Sequence, residues 1–314
     1  MTTVDDSDRS QTQPPASSER KKSSSFKRRL FKFFACATAI VVLPLAWAVF
    51  NNNVSLTGKS SAEIEAELDT AIELGVKWIV EHREKFETEN GNAALLFMIG
   101  DMNQPTAMPE LEEIFAKHLT QRSATNFWRR ILVPDAKTRI LDQRQLAKYV
   151  EYKRWAAYAI AADKIELSEE VYDNMMSPDK NAFRDLTHQL YAVDILRDRG
   201  SSAEGIDDLI DTLCHRITRE CSIDFRVTDL YLQRVAFVLA ADRPDLIKKR
   251  WIERILANQH ENGGFLYSWC GSSPNPLRFS GSKKPVAHAT VQGIWLLYMI
   301  RHRYPDWIAE NFPD

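Results

Sequence analysis

The residues best suited to chemistry stand where apolar stretches begin. His188 follows Thr187 and precedes Gln189-Leu190-Tyr191. Asp229 follows Thr228 and precedes Leu230-Tyr231-Leu232-Gln233. His288 precedes Ala289-Thr290-Val291-Gln292. Imidazole titrates near neutrality, so two histidines and a carboxylate brought together can pass a proton to and from a bound molecule. His188, Asp229 and His288 are therefore the catalytic candidates, and Tyr191, Tyr231, Gln233, Gln292 and the distant Trp269 the ligand-binding ones. Thr187, Thr228 and Asp229 are also ordinary residues for starting a helix. The same pattern thus serves a binding site without chemistry, or plain helix starts.

These candidates meet only if the elements carrying them are repeated and parallel. From Ser60 onward the apolar spacing is helical. Ile64, Leu68, Ala71, Ile72, Val76 and Ile79 recur at three and four, a helix with one buried face that Ser61 caps and Asn90-Gly91 stops. A more apolar stretch follows, Ala93 to Met102. The alternation returns as Val171–Met176 before the His188 stretch, Ile206–Arg219 before the Asp229 stretch and Leu246–Gln259 before the His288 stretch. The second members start near Asn92, Tyr152, Thr187, Thr228 and His288, a spacing that suggests stacked helical pairs. No run alternates long enough to propose a sheet, and the expected class is all-α.

The stretch Trp251-Ile252-Glu253-Arg254-Ile255-Leu256-Ala257-Asn258-Gln259, with Asn262-Gly263-Gly264-Phe265 after it, resembles the end of an outer helix in α/α-toroid proteins. These include terpene cyclases, protein prenyltransferase β subunits and several glycan-active enzymes. His288-Ala289-Thr290 looks like the matching inner-helix start. The resemblance covers about 50 residues well. It implies inner helices around a central core and a site on one rim, and it selects no reaction. A prenyltransferase-like zinc site would use Asp229, Cys270 and His288, but no aspartate neighbours Cys270. The acidic cluster of terpene cyclases is also absent. No metal and no particular cofactor is expected.

The N-terminus reads as an address. Residues 1–32 form a polar tail, expected to be disordered, ending in Arg20, Lys21, Lys22, Lys27, Arg28, Arg29 and Lys32. Phe33 to Phe50 carries no charge and is long enough, at about 27 Å of helix, to cross a bilayer. The basic flank precedes it, which places the tail in the cytoplasm and the domain on the extracytoplasmic side. The expected organisation is a tail over 1–32, a single-pass signal-anchor over 33–50, a linker over 51–60 and a helical domain over 61–314. Ala46-Trp47-Ala48 resembles a signal-peptidase site, so a cleaved signal is the rival reading, and a buried core helix is the third.

The remaining features narrow the partners. A net charge of -2 gives no reason to expect nucleic acid. The partners expected are the lipid bilayer through residues 33–50 and a glycan, lipid-linked or protein ligand. Cys214 and Cys221 are seven residues apart, about 10 Å along one continuous helix, too far for a disulfide. Residues 267–285 form the longest interruption, rich in Gly and Pro; it reads either as a tolerated surface insertion or, with Trp269 and its basic residues, as a contact for an anionic glycan or lipid head group. Asn126-Phe127-Trp128-Arg129-Arg130 and Lys153-Arg154-Trp155 pair aromatics with arginines that can stack against sugars or lipids. They more often read as helix faces with snorkelling arginines. Asn53-Val54-Ser55 fits a glycosylation sequon. No phosphate loop, GxSxG, HExxH or EF-hand pattern occurs.

Overall fold

A computed structural model describes residues 31–33, 38, 42–87, 92–103, 108–121, 124–165, 169–177, 186–200, 204–266 and 284–313. The chain divides into two units, Met1–Ala48 and Val49–Asp314. In the first, residues 31–33 and 42–48 are helical, and Phe31, Phe33, Leu43, Leu45 and Trp47 are exposed. Among the described residues no helix is long and apolar enough to cross a membrane. Residues 34–37 and 39–41 of the expected span lie outside them.

The second unit is all-helical, with no strand among its described residues beyond the single bridge Leu266–Pro285. Its α-helices are α1 Ser61–Glu81, α2 Ala93–Met102, α3 Pro109–Gln121, α4 Arg129–Leu132, α5 Gln143–Leu146, α6 Glu151–Ile160, α7 Glu169–Met176, α8 Leu186–Asp198, α9 Ile206–Ile223, α10 Asp229–Ala240, α11 Lys249–Ala257, α12 Ala287–His302 and α13 Pro305–Asn311. Helices α6, α8, α10, α12 and α2 pack in that order, each on the next, while α9 lies against α8 and α10, and α1 against α12. The pattern explains the placement. Helix α9 is amphipathic and buries one face through Leu209, Leu213, Ile217 and Cys221. Helix α12 is apolar all round and buried from Ala289 to Ile300.

Local boundaries differ from expectation where a side chain outcompetes the apolar pattern. Ser60, not Ser61, caps α1, because Glu63 falls three residues on and closes a capping box with it. Helix α1 ends at Glu81, where His82 bonds back to the Trp78 carbonyl at 2.9 Å and stacks on the Trp78 ring. Asn90 and Gly91 lie outside the described residues. Leu246 is in a 3₁₀ turn begun by Pro244, so α11 starts only at Lys249.

The motif after α11 works as a clamp. Gln259 Nε2 donates to the carbonyls of Ala71 and Gly263, both at 2.8 Å, tying the turn to α1. Gly263 has φ +87°, and a Cβ there would overlap the Leu74 carbonyl, so only glycine fits. Phe265 is buried, and its N–H donates to Thr290 Oγ1 at 2.9 Å, fixing the start of α12.

Residues 51–60, expected as a linker, are bound to the helices instead. Asn52 is fully buried. Its Nδ2 donates to the Cys221 carbonyl at 2.9 Å, and its Oδ1 accepts from Tyr231 Oη at 3.1 Å and from Arg254. Ser55 and Thr57 both donate to Glu253. The sequon amide of Asn53 is engaged too, donating to the carbonyls of Val49 and Ser222 at 2.7 Å. Cys214 and Cys221 sit on the unbroken α9 as free, buried thiols, and burial pushes both up to about 12. Cys270 lies outside the described residues.

Candidate functional site

The first turns of α2, α6, α8, α10 and α12 open onto one cavity of about 510 Å³, within the range of small-ligand sites. Consecutive packing of these helices with a common direction carries their N-termini to the same end. The wall takes Asn92 from α2, Tyr152 and Lys153 from α6, His188 and Tyr191 from α8, Gln233 and Phe237 from α10, and His288 and Gln292 from α12. Asn126, Trp128 and Tyr149, from the segments before α4 and α6, complete it.

His288 is held in one orientation. Its Nδ1 lies 2.7 Å from Oδ1 of Asp229, whose side chain is mostly buried while the imidazole is partly open. A carboxylate accepts only, so in the neutral ring the proton sits on Nδ1 and the Nε2 lone pair is available as a base. Asp229 itself does not line the cavity; it acts behind the imidazole. His188 is arranged differently. Its Nε2 lies 3.4 Å from Gln233 Nε2, and its ring packs on Tyr152 at 4.4 Å between centroids. An amide nitrogen only donates, so the neutral ring accepts there and carries its proton on Nδ1.

Among the buried polar atoms of the wall, Oε1 of Gln292 and Oη of Tyr191 have no hydrogen-bond partner among the described residues. Burial holds the Tyr191 hydroxyl well above the usual phenol range. Orphan groups of this kind are rare in a packed interior and each calls for a ligand, a water or a strain argument. The wall carries Lys153 and the two histidines but no Asp or Glu. Helices α6 and α12 also begin without a capping side chain, leaving first-turn amides and their partial positive charge at this end.

Of the residues picked from sequence, His188, His288, Tyr191, Gln233 and Gln292 lie on this wall, and Asp229 is bonded to it through His288. Tyr231 does not: it is fully buried on the far side of α10 with its hydroxyl on Asn52. It is two residues from Asp229, about 200° round the helix, whereas Gln233 at four residues returns to the same face. Trp269 and most of the loop holding it lie outside the described residues. Sequence reading missed Asn92, Asn126, Trp128, Tyr149, Tyr152 and Lys153 as wall residues. Arg130, expected to snorkel, is buried, with Nη2 on Asp163 at 2.6 Å and Nε on the Ile160 carbonyl at 2.8 Å. The signals were the apolar helix starts near Asn92 and Tyr152 and the aromatic–arginine pairing of residues 126–130 and 153–155.

No protein-family model, curated protein or solved structure matches the chain. No group of three or more His, Cys, Asp or Glu side chains placed to hold a metal occurs among the described residues.

Proposed function

We propose that the helical unit binds an acidic saccharide, free or lipid-linked, in the cavity at the starts of α2, α6, α8, α10 and α12. The observation that carries the reading is the wall itself. Trp128, Tyr149, Tyr152 and Phe237 offer flat apolar faces for sugar rings. The amide nitrogen of Asn92 and the amides of Gln233 and Gln292 offer polar groups for hydroxyls. Lys153 and the helix N-termini favour a negative charge, with no wall carboxylate to oppose it. The packing order of the inner helices supports an α/α toroid with this cavity on one rim. The charge-free stretch Phe33–Phe50 behind its basic flank, and the exposed apolar side chains of residues 31–48, support a membrane anchor with the domain on the extracytoplasmic side.

One observation favours a second, enzymatic reading. Asp229 orients His288 as a carboxylate orients a general base, so His288 would move a proton on the bound ligand with Asp229 as its positioning partner. The test is a thermal-shift screen of the full chain in detergent against uronic-acid oligosaccharides and their neutral counterparts. Binding of the acidic series, lost in Trp128→Ala and weakened in Lys153→Ala, supports the site. Preference for the neutral series, or binding unaffected by both variants, overturns it. Turnover lost in His288→Ala with binding retained would select the enzyme.

A further inference from the structure

Tyr191 borders a second cavity, of about 700 Å³, formed where α6 and α8 end and α4 begins. This places it at the opposite end of α6 and α8 from the site already described. Its polar wall sets two neighbouring guanidiniums, Arg130 and Arg199, beside Asp135, Asp163 and Asp198. Arg130 is committed to Asp163. Arg199 is not committed to any carboxylate among the described residues. Its Nη1 donates to the Ile160 carbonyl at 2.7 Å and its Nη2 to the Arg130 carbonyl at 2.6 Å, so two carbonyls orient the fork and leave further N–H groups unused. Burial, and then the repulsion of Arg130, lower the affinity of Arg199 for its proton. The charge of Arg199 also acts on the Tyr191 hydroxyl, the buried donor that has no partner among the described residues.

We propose that this second cavity is a binding site for a compact oxyanion of the phosphate class, held by Arg199 and by the hydroxyl of Tyr191. Such an anion would offset the repulsion between the two guanidiniums and accept from the remaining N–H groups of Arg199 and from the Tyr191 hydroxyl. A guanidinium fork suits it better than a point charge does. The carboxylates on the wall do not forbid it. Asp163 is paired with Arg130 and Lys164, and Asp198 with Arg197. Arg197 is shared with Asp194 at 2.6 Å, so with their ion-pair partners four basic groups stand against four acidic ones, and only Asp135 has no ion pair among the described residues. The site shares Tyr191 with the proposed saccharide site but does not depend on the ligand proposed there. Tyr191 stands on both walls, its ring stacked at 5.1 Å on Phe237, which faces the first cavity.

The test is calorimetric titration of the full chain in detergent, in a phosphate-free buffer, with inorganic phosphate and then pyrophosphate. Phosphate should bind the wild type. Arg199→Gln should weaken it by about tenfold or more, the loss of one charge-assisted contact, and Tyr191→Phe by less. Ala162 is exposed on the same wall, so Ala162→Glu adds a negative charge without disturbing the core and should abolish binding even if Arg199→Gln folds poorly. His288→Ala should bind phosphate as the wild type does. No heat up to about 10 mM phosphate, an affinity far weaker than specific sites show, refutes the proposal. So does equal binding by Ala162→Glu. Loss in His288→Ala with retention in Ala162→Glu would put the anion in the first cavity and refute this one. The same titration leaves the saccharide reading standing or falling on its own variants.

Discussion

Gln292 is buried, with its Oε1 lacking a partner among the described residues, on a wall otherwise suited to a ligand. If that oxygen is reserved for a ligand, replacing it should stabilise the free protein. Gln292→Met keeps the length and helix propensity of the side chain while removing the orphan group. Burial of an unsatisfied polar group costs about 1–3 kcal/mol, so the variant should gain about 1 kcal/mol after imperfect repacking. For a domain of this size that is a rise in Tm of about 2–4 °C. Differential scanning calorimetry of the wild type and the variant without ligand reads it, and saccharide titration should show binding lost. The amide orientation does not alter the argument, since a rotated Gln292 would leave an orphan donor in place of an orphan acceptor. A fall of more than about 1 kcal/mol would mean that the amide is satisfied in the free protein. The reasoning that assigns it to a ligand would then fail.

Three further outcomes follow from buried groups elsewhere. Burial raises the Asp194 carboxyl to about 7 despite Arg197 at 2.6 Å, with Asp198 and Asp242 adding to the rise. The folded state therefore keeps a proton that the unfolded chain releases near 3.8. Stability should fall as pH rises from about 4 to 7 and level off above, by at most about 4 kcal/mol at about 1.4 kcal/mol per unit. Urea midpoints should show that slope, and Asp194→Asn should flatten it. Asn52→Ala should cost about 3 kcal/mol, because it strands the Cys221 carbonyl, the Tyr231 hydroxyl and a bond of Arg254 together; a loss under about 1 kcal/mol would show that residues 49–60 are not held to the helices. Gly263→Ala should destabilise by several kcal/mol on thermal denaturation, since φ +87° and the Leu74 carbonyl both oppose a Cβ; a neutral result would mean that the clamp turn can rearrange.

The helices with one apolar face or none polar were legible because burial imposes a period on them. Helices α1, α9 and α12 could be read from their spacing, and α10 from the Thr228 start, whose side chain does accept from the Tyr231 N–H. The short helices α4, α5 and α13 were not legible. Four to seven residues hold too few turns for a period, and their positions are set by tertiary contacts such as Tyr158 Oη donating to Gln143 Oε1 at 2.7 Å. Helix α3 went unread although it buries Leu111 and Ile114, because Glu110, Glu112 and Glu113 dominate its start. The site was legible to the extent that helix starts share an end. Which face of a start looks inward was not: Tyr231 and Gln233 look alike in sequence, and only the angle round α10 separates them.

That angle explains why polar side chains collect at this cavity without unfolding it. The polar wall residues of α2, α6, α8, α10 and α12 sit in or just before the first two turns of helices whose later turns are largely buried, as in α12 up to Ile300. The apolar turns fix the helix, so the first turn has no freedom to swing its polar group to solvent. Gln292 and Tyr191 are therefore held unsatisfied by packing that lies beyond them along the same helices. His288 is aimed by Asp229 from the neighbouring α10, which α12 packs against. A substitution deep in α12, such as Trp295→Leu, removes the indole N–H bonded to Asp101 at 2.5 Å and opens a void beside Phe97 and Phe237. Trp295 is not itself on the wall, though its ring packs against Phe237, which is. The substitution should nonetheless loosen the first turn and weaken ligand binding together with stability, by about 3 kcal/mol or more in the latter. Gln292→Met should move the two in opposite directions. If both variants lower stability and binding in parallel, the cavity is an ordinary part of the core, and the division between a packing end and a binding end of these helices is wrong.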